Sequence, residues 1–475
     1  MQETDIGVAY RQNARWQNWA GTQSCTPARI FTPRTLNDLV AIVRQAEREG
    51  RQVGVAGRGH SMGPMCVTED YLVVMAGMDR IGPVDVGRRM VTIEAGVTVG
   101  ALDKELRRHG LAVPTNVVLT CVQYGGVIAT GSHGAGWECQ TVSDLVEEMT
   151  IVTYSGEVVT FSEATHGPEM MNAVRCNLGT FGIIYQIKLR VEPMFHLEAV
   201  DQHFPLGLVE DRQQLRTFLS GNDYVEVFWF PLAEGLWTKS WNRTTAPARR
   251  TRWTRKPTNF VSSQFGNMMW RQVVRTPRWT GPVNNFLYRN FTPRRRTVVL
   301  DAPDAQHYRD FIERTRCRIM SFAIKIDPDF ANVQAAWQLV VDKVHERAAQ
   351  GEYPLNLLLE MRVIRNSRVL LSPAFGPDDQ HHCYFELVSF DGTPGCDEFF
   401  DEVAQAWMAM PGLDARPHWG KYFYDIPGIV PHIRRVWGEN LRTFSTIRDK
   451  LDPGRMFLNP ALEKIFYGAE ESPAG

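Results

Sequence analysis

A chain of 475 residues exceeds what one compact core organises, so two domains are expected. Its 44% hydrophobic and 22% charged residues are ordinary for a soluble globular protein, and a formal net charge of −1 offers nucleic acid no global attraction, which argues against it as a partner. The eight cysteines form no C-x-x-C pair, no apolar h-region opens the chain and about 18 apolar residues never run together. These features argue against zinc-ribbon and thioredoxin-like sites and imply a cytoplasmic protein with reduced thiols and no metal.

The first elements alternate helix and strand. "TLNDLVAIVRQAEREG" places Leu36, Leu39, Val40 and Val43 on one helical face, with Thr35 as N-cap and Gly50 just past the end. "QVGVAG" is a buried strand that runs into "VAGRGHSMGP" (55–64). The glycines there, Gly57, Gly59 and Gly63, are one residue too long for G-x-G-x-x-G, and Met62 takes the expected glycine position. Strand-like "YLVVMAGM" follows where a dinucleotide fold requires a helix. At the apex of the loop stands His60.

Next come a strand in "MVTIEAGVTV", a helix in "GALDKELRRHG" closed by Gly110, and a hairpin in "MTIVTYSGEVVTF" turning at Ser155-Gly156. Two more glycine-bearing segments are "YGGVIATGSHGAG" (124–136) and "LGTFGIIYQIKL" (178–189). Glycines this dense among β-branched residues fit backbone lying against a ligand, or tight turns between strands.

After about Pro193 the texture changes. Residues 235–300 hold no acidic side chain, and arginines cluster at Arg249, Arg250, Arg252, Arg255 and again at Arg294, Arg295, Arg296, interleaved with Trp253, Phe260, Trp270 and Trp279. Residues 249–296 fit peripheral contact with an anionic membrane, an RNA surface, or a solvated insertion whose arginines pair with acids elsewhere. "PLNLLLEMRVIRNSRVLLSP" reads as strands of a second sheet. The tail "LRTFSTIRDKLDPGRMFLNPALEKIFY" reads as a helix, a proline-marked turn and a terminal anchor.

Taken in order, "NWAGTQSCTPARIFTPRTLNDLVAIVRQA", "GRGHS", "GGVIATGSHGAG", Glu360-x-Arg362, "RPHWGK" and "LDPGRMFLNPALEKIFY" resemble the sugar-1,4-lactone oxidases. These are the gulonolactone, galactonolactone and arabinonolactone oxidoreductases, with alditol oxidases as relatives. The resemblance implies an α+β chain with an FAD-binding domain of the vanillyl-alcohol oxidase/p-cresol methylhydroxylase type. Residues 1–195 would form most of that domain, 196–430 a substrate-binding cap on an antiparallel sheet, and 431–475 a return to the FAD-binding domain.

The implied reaction moves a hydride from a sugar-lactone or polyol carbon to flavin N5, with dioxygen reoxidising the flavin to give hydrogen peroxide. Alternatives within the fold are a non-oxygen acceptor or a larger secondary-metabolite substrate; a non-catalytic flavoprotein lies further off. A diphosphate needs backbone N–H donors approached closely, which glycine turns provide. The cofactor-binding candidates are Gly57, Arg58, Gly59, His60 and Ser61, then Gly125, Gly126, Thr130, Gly131, Ser132, His133 and Gly134, then Gly179, Gly182 and Ile183.

By resemblance His60 bonds covalently to the flavin 8α-methyl carbon; otherwise it would hydrogen-bond its own turn. Cys121 would make a second flavin bond only as in another branch of the superfamily, whose spacing to His133 differs. Glu360 and Arg362, two apart on a strand, share a face; Arg362 would stabilise charge at flavin N1 and Glu360 orient substrate hydroxyls, although a plain salt bridge fits as well. Lys421 would contact substrate, and His418 would accept the hydroxyl proton or simply be a packed histidine. His133 would hold its loop, and the small Ser132 near the ring leaves room for oxygen.

Overall fold

The computed structural model describes residues 7–249, 271–307 and 316–468, together with the backbone of Gln2–Glu3. The N-terminal part carries β1 (Ala9–Gln12), β2 (Arg29–Phe31), α1 (Leu36–Glu49), β3 (Val53–Ala56) and β4 (Tyr71–Val74). They form one sheet in the order β1-β2-β4-β3, extended by Gln2–Glu3, with β4 parallel to both neighbours. Thr35 and Asp38 close a capping box at the start of α1, and Gly50 ends it at φ 61°. The helix buries Leu39, Ile42, Val43 and Ala46, whereas Leu36 and Val40 of the expected face are only partly covered.

A second sheet follows, ordered β8-β7-β9-β6-β5. Its strands are β5 (Ile81–Asp85), β6 (Met90–Glu94), β7 (Val146–Val152), β8 (Val158–Ser162) and β9 (Ile183–Arg190). α2 (Val99–Arg108) and α3 (Tyr124–Ala129) lie between β6 and β7. The expected hairpin forms β7 and β8, with Gly156 at φ 73°. The segment 124–136 is half helix: six residues coil into α3 before the chain opens into a loop at Thr130.

The middle of the chain builds one antiparallel sheet in the order β13-β10-β12-β11-β15-β16-β14-β17. Its strands are β10 (His196–Pro205), β11 (Tyr224–Trp229), β12 (Gly235–Thr244), β13 (Arg295–Asp301), β14 (Cys317–Lys325), β15 (Leu358–Arg365), β16 (His381–Phe390) and β17 (Arg416–Pro417). α5 (Ala331–Ala349) and α6 (Cys396–Ala409) bury Trp337 and Trp407 against it. α4 (Thr280–Phe291) precedes β13.

One expectation changes here. "PLNLLLEMRVIRNSRVLLSP" yields the single strand β15, because Ser367 turns the chain by accepting the Val369 N–H and Asn366 closes back on Gln380. Within the described basic tract, β12 and the edge strand β13 belong to the sheet, α4 lies between them in the chain, and Arg289 pairs with Glu234 as Arg243 does with Glu192. Arg250, Arg252, Trp253, Arg255, Phe260 and Trp270 lie outside the described residues.

α7 (Ile429–Leu451) and α8 (Pro460–Tyr467) end the described chain. Here Met456 C=O accepts the Val53 N–H at 2.8 Å, Asn459 Nδ2 donates to Pro64 C=O at 2.7 Å, and Phe444 stacks on Phe181 at 4.8 Å. All eight cysteines are thiols, and no described helix is long and apolar enough to cross a membrane.

Candidate active site

The first glycine loop leaves the end of β3 and is pinned from several sides. Gly59 C=O accepts the Trp19 N–H at 2.7 Å, Ser61 C=O accepts Asn18 Nδ2 at 2.9 Å, and the Met62 N–H reaches Gly420 C=O at 3.1 Å. His60 stacks on Trp19, centroids 5.3 Å apart, and its Nε2 lies 3.4 Å from Cys121 Sγ. Arg58 is exposed, and Gly57 faces Gln123. The loop therefore touches both the segment before α3 and the 418–421 turn.

The second loop follows α3. Gly125 N–H bonds Ala95 C=O at 2.8 Å, Gly126 is exposed with open space around it, and Thr130 Oγ1 lies 3.0 Å from Ser132 Oγ. Gly131 lies against Cys176 and Pro373. Gly134 packs so closely that a Cβ would come within 2.6 Å of Asn116 C=O. The Gly136 N–H bonds Val363 C=O at 2.8 Å, which ties this loop to β15.

The third segment joins at Leu178, whose N–H bonds Ala129 C=O at 3.0 Å. Gly179 N–H caps on Asn177, whereas a Cβ on Gly182 would lie 2.3 Å from Val152 C=O. Gly182 is thus accounted for by strand packing, and Ile183 begins β9 opposite Val152.

The sheet brings Glu360 and Arg362 to this junction. Both are buried on one face of β15, and Arg362 Nε donates to Glu360. Register places Phe228 and Glu226 of β11 opposite them on one side, and Glu386 and Tyr384 of β16 on the other. Lys421 Nζ contacts Glu386 at 2.6 Å; Arg362 lies 3.5 Å from Glu226 and 3.8 Å from Glu386. Glu226 also begins a ladder of alternating charge running outward through facing pairs: Arg362, Glu226, Lys239, Asp201, Arg296.

His133 stacks on Tyr384 at 3.6 Å and lies 5.5 Å from the His418 ring. Their tautomers are opposite. His133 Nδ1 pairs with Gly134 C=O at 2.8 Å, which leaves its lone pair on Nε2, whereas His418 Nδ1 accepts the Gly420 N–H at 2.9 Å and so carries its proton on Nε2. In this geometry His418 presents a donor rather than a proton acceptor.

Family comparison agrees on both halves of the chain. A model described as FAD binding domain matches residues 27–162, and one described as D-arabinono-1,4-lactone oxidase matches residues 187–465. The chain belongs to the D-arabinono-1,4-lactone oxidase family. It is 30% identical over 515 residues to the D-arabinono-1,4-lactone oxidase of Eremothecium gossypii, covering 95% of this chain and 94% of the relative. Against the L-gulono-1,4-lactone dehydrogenase of Mycobacterium tuberculosis it is 29% identical, covering 95% and 98%. Against the L-gulonolactone oxidase of Bos taurus it is 28% identical, covering 96% and 99%. The fold matches a cholesterol oxidase from B. sterolicum with a TM-score of 0.79 at 20% identity, covering 97% of each chain.

This member of the D-arabinono-1,4-lactone oxidase family is an FAD-dependent oxidoreductase with the vanillyl-alcohol oxidase type of fold. Its loops suit the cofactor. Gln123 Oε1 is buried beside Gly57 without a hydrogen-bond partner among the described residues, so a polar ligand would satisfy it.

Electrostatics separate the carboxylates. Burial pushes Glu360 up, Arg362 opposes, and Glu226 and Glu386 add to the rise. Burial acts on Glu386 in the same sense, yet Lys421 and Arg362 hold it well below the usual carboxylate range. Burial, then Lys421, drives His418 down to about 3, and burial with His418 and Arg362 keeps His133 neutral. Glu226, Tyr384 and Glu386 escaped the sequence reading, although single acids inside "YVEVFW" and "HHCYFELVSF" signal buried charges that require cationic partners.

Proposed function

We propose that the protein oxidises a ring or chain CH–OH of a sugar-1,4-lactone or related polyol and passes the electrons to dioxygen as hydrogen peroxide. Bound FAD would supply the hydride acceptor. Arg362 provides fixed positive charge beside the reacting centre, and Lys421, anchored by Glu386, binds substrate oxygens. His418 donates from Nε2 to a substrate oxygen. Glu360 orients the substrate hydroxyl and, in its ionised form, takes the proton, burial having made that carboxylate more basic. The small Ser132 leaves oxygen access to the flavin, and His60 holds the cofactor covalently.

The observation that carries this reading is the buried Glu360–Arg362 face tied to the second glycine loop through Gly136 and Val363. The return of Met456 and Asn459 onto Val53 and Pro64 supports dividing the chain into 1–195, 196–430 and 431–475. The test is peroxide release from the purified yellow protein on a panel of aldonolactones and alditols. Turnover with an artificial acceptor and without peroxide would make it a dehydrogenase, and silence with both acceptors would remove the substrate class. His60→Ala should leave folded protein whose flavin is released by acid, while flavin still attached would remove His60 as the anchor.

A further inference from the structure

A neutral imidazole has one N–H and one lone pair, and the partner on one nitrogen decides what the other can do. His60 is held unusually firmly for a residue on a glycine loop. The carbonyls on either side of it, Gly59 and Ser61, are taken by the Trp19 N–H and by Asn18, and its ring lies nearly parallel to Trp19, at 12°. Cys121 Sγ lies 3.4 Å from Nε2. The thiol is itself fixed, because the flanking Thr120 and Val122 carbonyls accept the Gly100 and Val99 N–H groups at 2.9 and 3.0 Å at the start of α2.

We infer that Cys121 is a positioning residue for flavin attachment: its sulfur accepts a hydrogen bond from Nε2–H of His60, which selects the tautomer whose Nδ1 bonds the flavin. This rests on the reading that His60 carries the cofactor covalently. In that attachment a C–N bond forms between Nδ1 and the 8α carbon. The imidazole loses its N–H proton and the methyl group one C–H hydrogen, and the two electrons and two protons pass to dioxygen as hydrogen peroxide. When Nε2–H donates to the sulfur, the lone pair is on Nδ1 before the flavin arrives, and Trp19 restricts rotation of the ring.

The test compares wild type, Cys121→Ser and Cys121→Ala, each purified without flavin and incubated with FAD in air. Intact mass follows the gain of FAD less two hydrogens, peptide mapping locates it, and absorbance measures total bound flavin. Removing one hydrogen bond should slow attachment in Cys121→Ala about tenfold, with total bound flavin and melting temperature unchanged. Cys121→Ser, which keeps an acceptor, should retain most of the wild-type rate. Attachment in Cys121→Ala at the wild-type rate would overturn the role of Cys121 alone, as would flavin mapped to Cys121 itself. Wild type that gains only dissociable flavin would overturn the attachment reading and the positioning role together.

Discussion

The two glycine loops and the inner face of the eight-stranded sheet meet within a few ångströms, yet they build a binding surface by opposite means. The loops offer backbone: Gly134 and its neighbours remove side chains so that peptide groups approach each other and a ligand closely. The sheet offers charge: Glu226, Glu360, Arg362 and Glu386 are clustered by cross-strand register, and Lys421 joins them from the turn after β17. A loop of the first kind fails when an atom is added. A face of the second kind fails when a charge is removed. The comparison gives each region its own diagnostic substitution.

The largest effect should come from the sheet. Arg362→Met leaves three carboxylates without their shared cation, and we expect stability to fall by about 3–5 kcal/mol. Flavin reduction by substrate should slow roughly 10³-fold. Denaturant titration and stopped-flow absorbance measure the two losses, and a variant as stable and fast as wild type would break the comparison. Gly134→Ala is the loop counterpart. Its Cβ must displace Asn116 and Thr115, so FAD binding should weaken about tenfold while the sheet cluster stays intact. Flavin content after dialysis reads this out.

A smaller effect separates His418 from both. Its folded pKa, about 3, lies below the unfolded value of about 6.5, so between these values the unfolded chain binds the extra proton. Stability contributed by the neutral imidazole is therefore present above pH ~6.5 and lost as pH falls. His418→Gln should make the decline of unfolding free energy between pH 6.5 and 4 shallower than in wild type. Equal slopes would show that the burial of His418 is not linked to folding.

How much of this was legible in the sequence follows the same division. The glycine loops announce themselves locally, because a turn that needs close backbone approach writes glycine into consecutive positions. Thr35 and Gly50 likewise mark both ends of α1 within a single helix. The sheet site is dispersed over 226–421, and its membership depends on which strands pair. Glu226 faces Arg362 because β11 is antiparallel to β15, a fact that spacing along the chain does not contain. The pairing of β12 and β13 with β10 was hidden for the same reason, since a stretch without acids looks like a separate surface until Asp201 is placed between Lys239 and Arg296. The tautomer of His418 required Gly420, two residues away but visible only once the turn is folded.

The row Arg362, Glu226, Lys239, Asp201, Arg296 has a consequence for the long-range field of the sheet. Opposite signs at neighbouring positions produce a steep field over a few ångströms and leave one net positive charge, which salt screens beyond roughly the Debye length of ~10 Å at 0.1 M. A row so nearly balanced does little to draw charged molecules from afar. With a net charge of −1 on the whole chain, kcat/KM for an uncharged lactone should stay flat from low to high ionic strength.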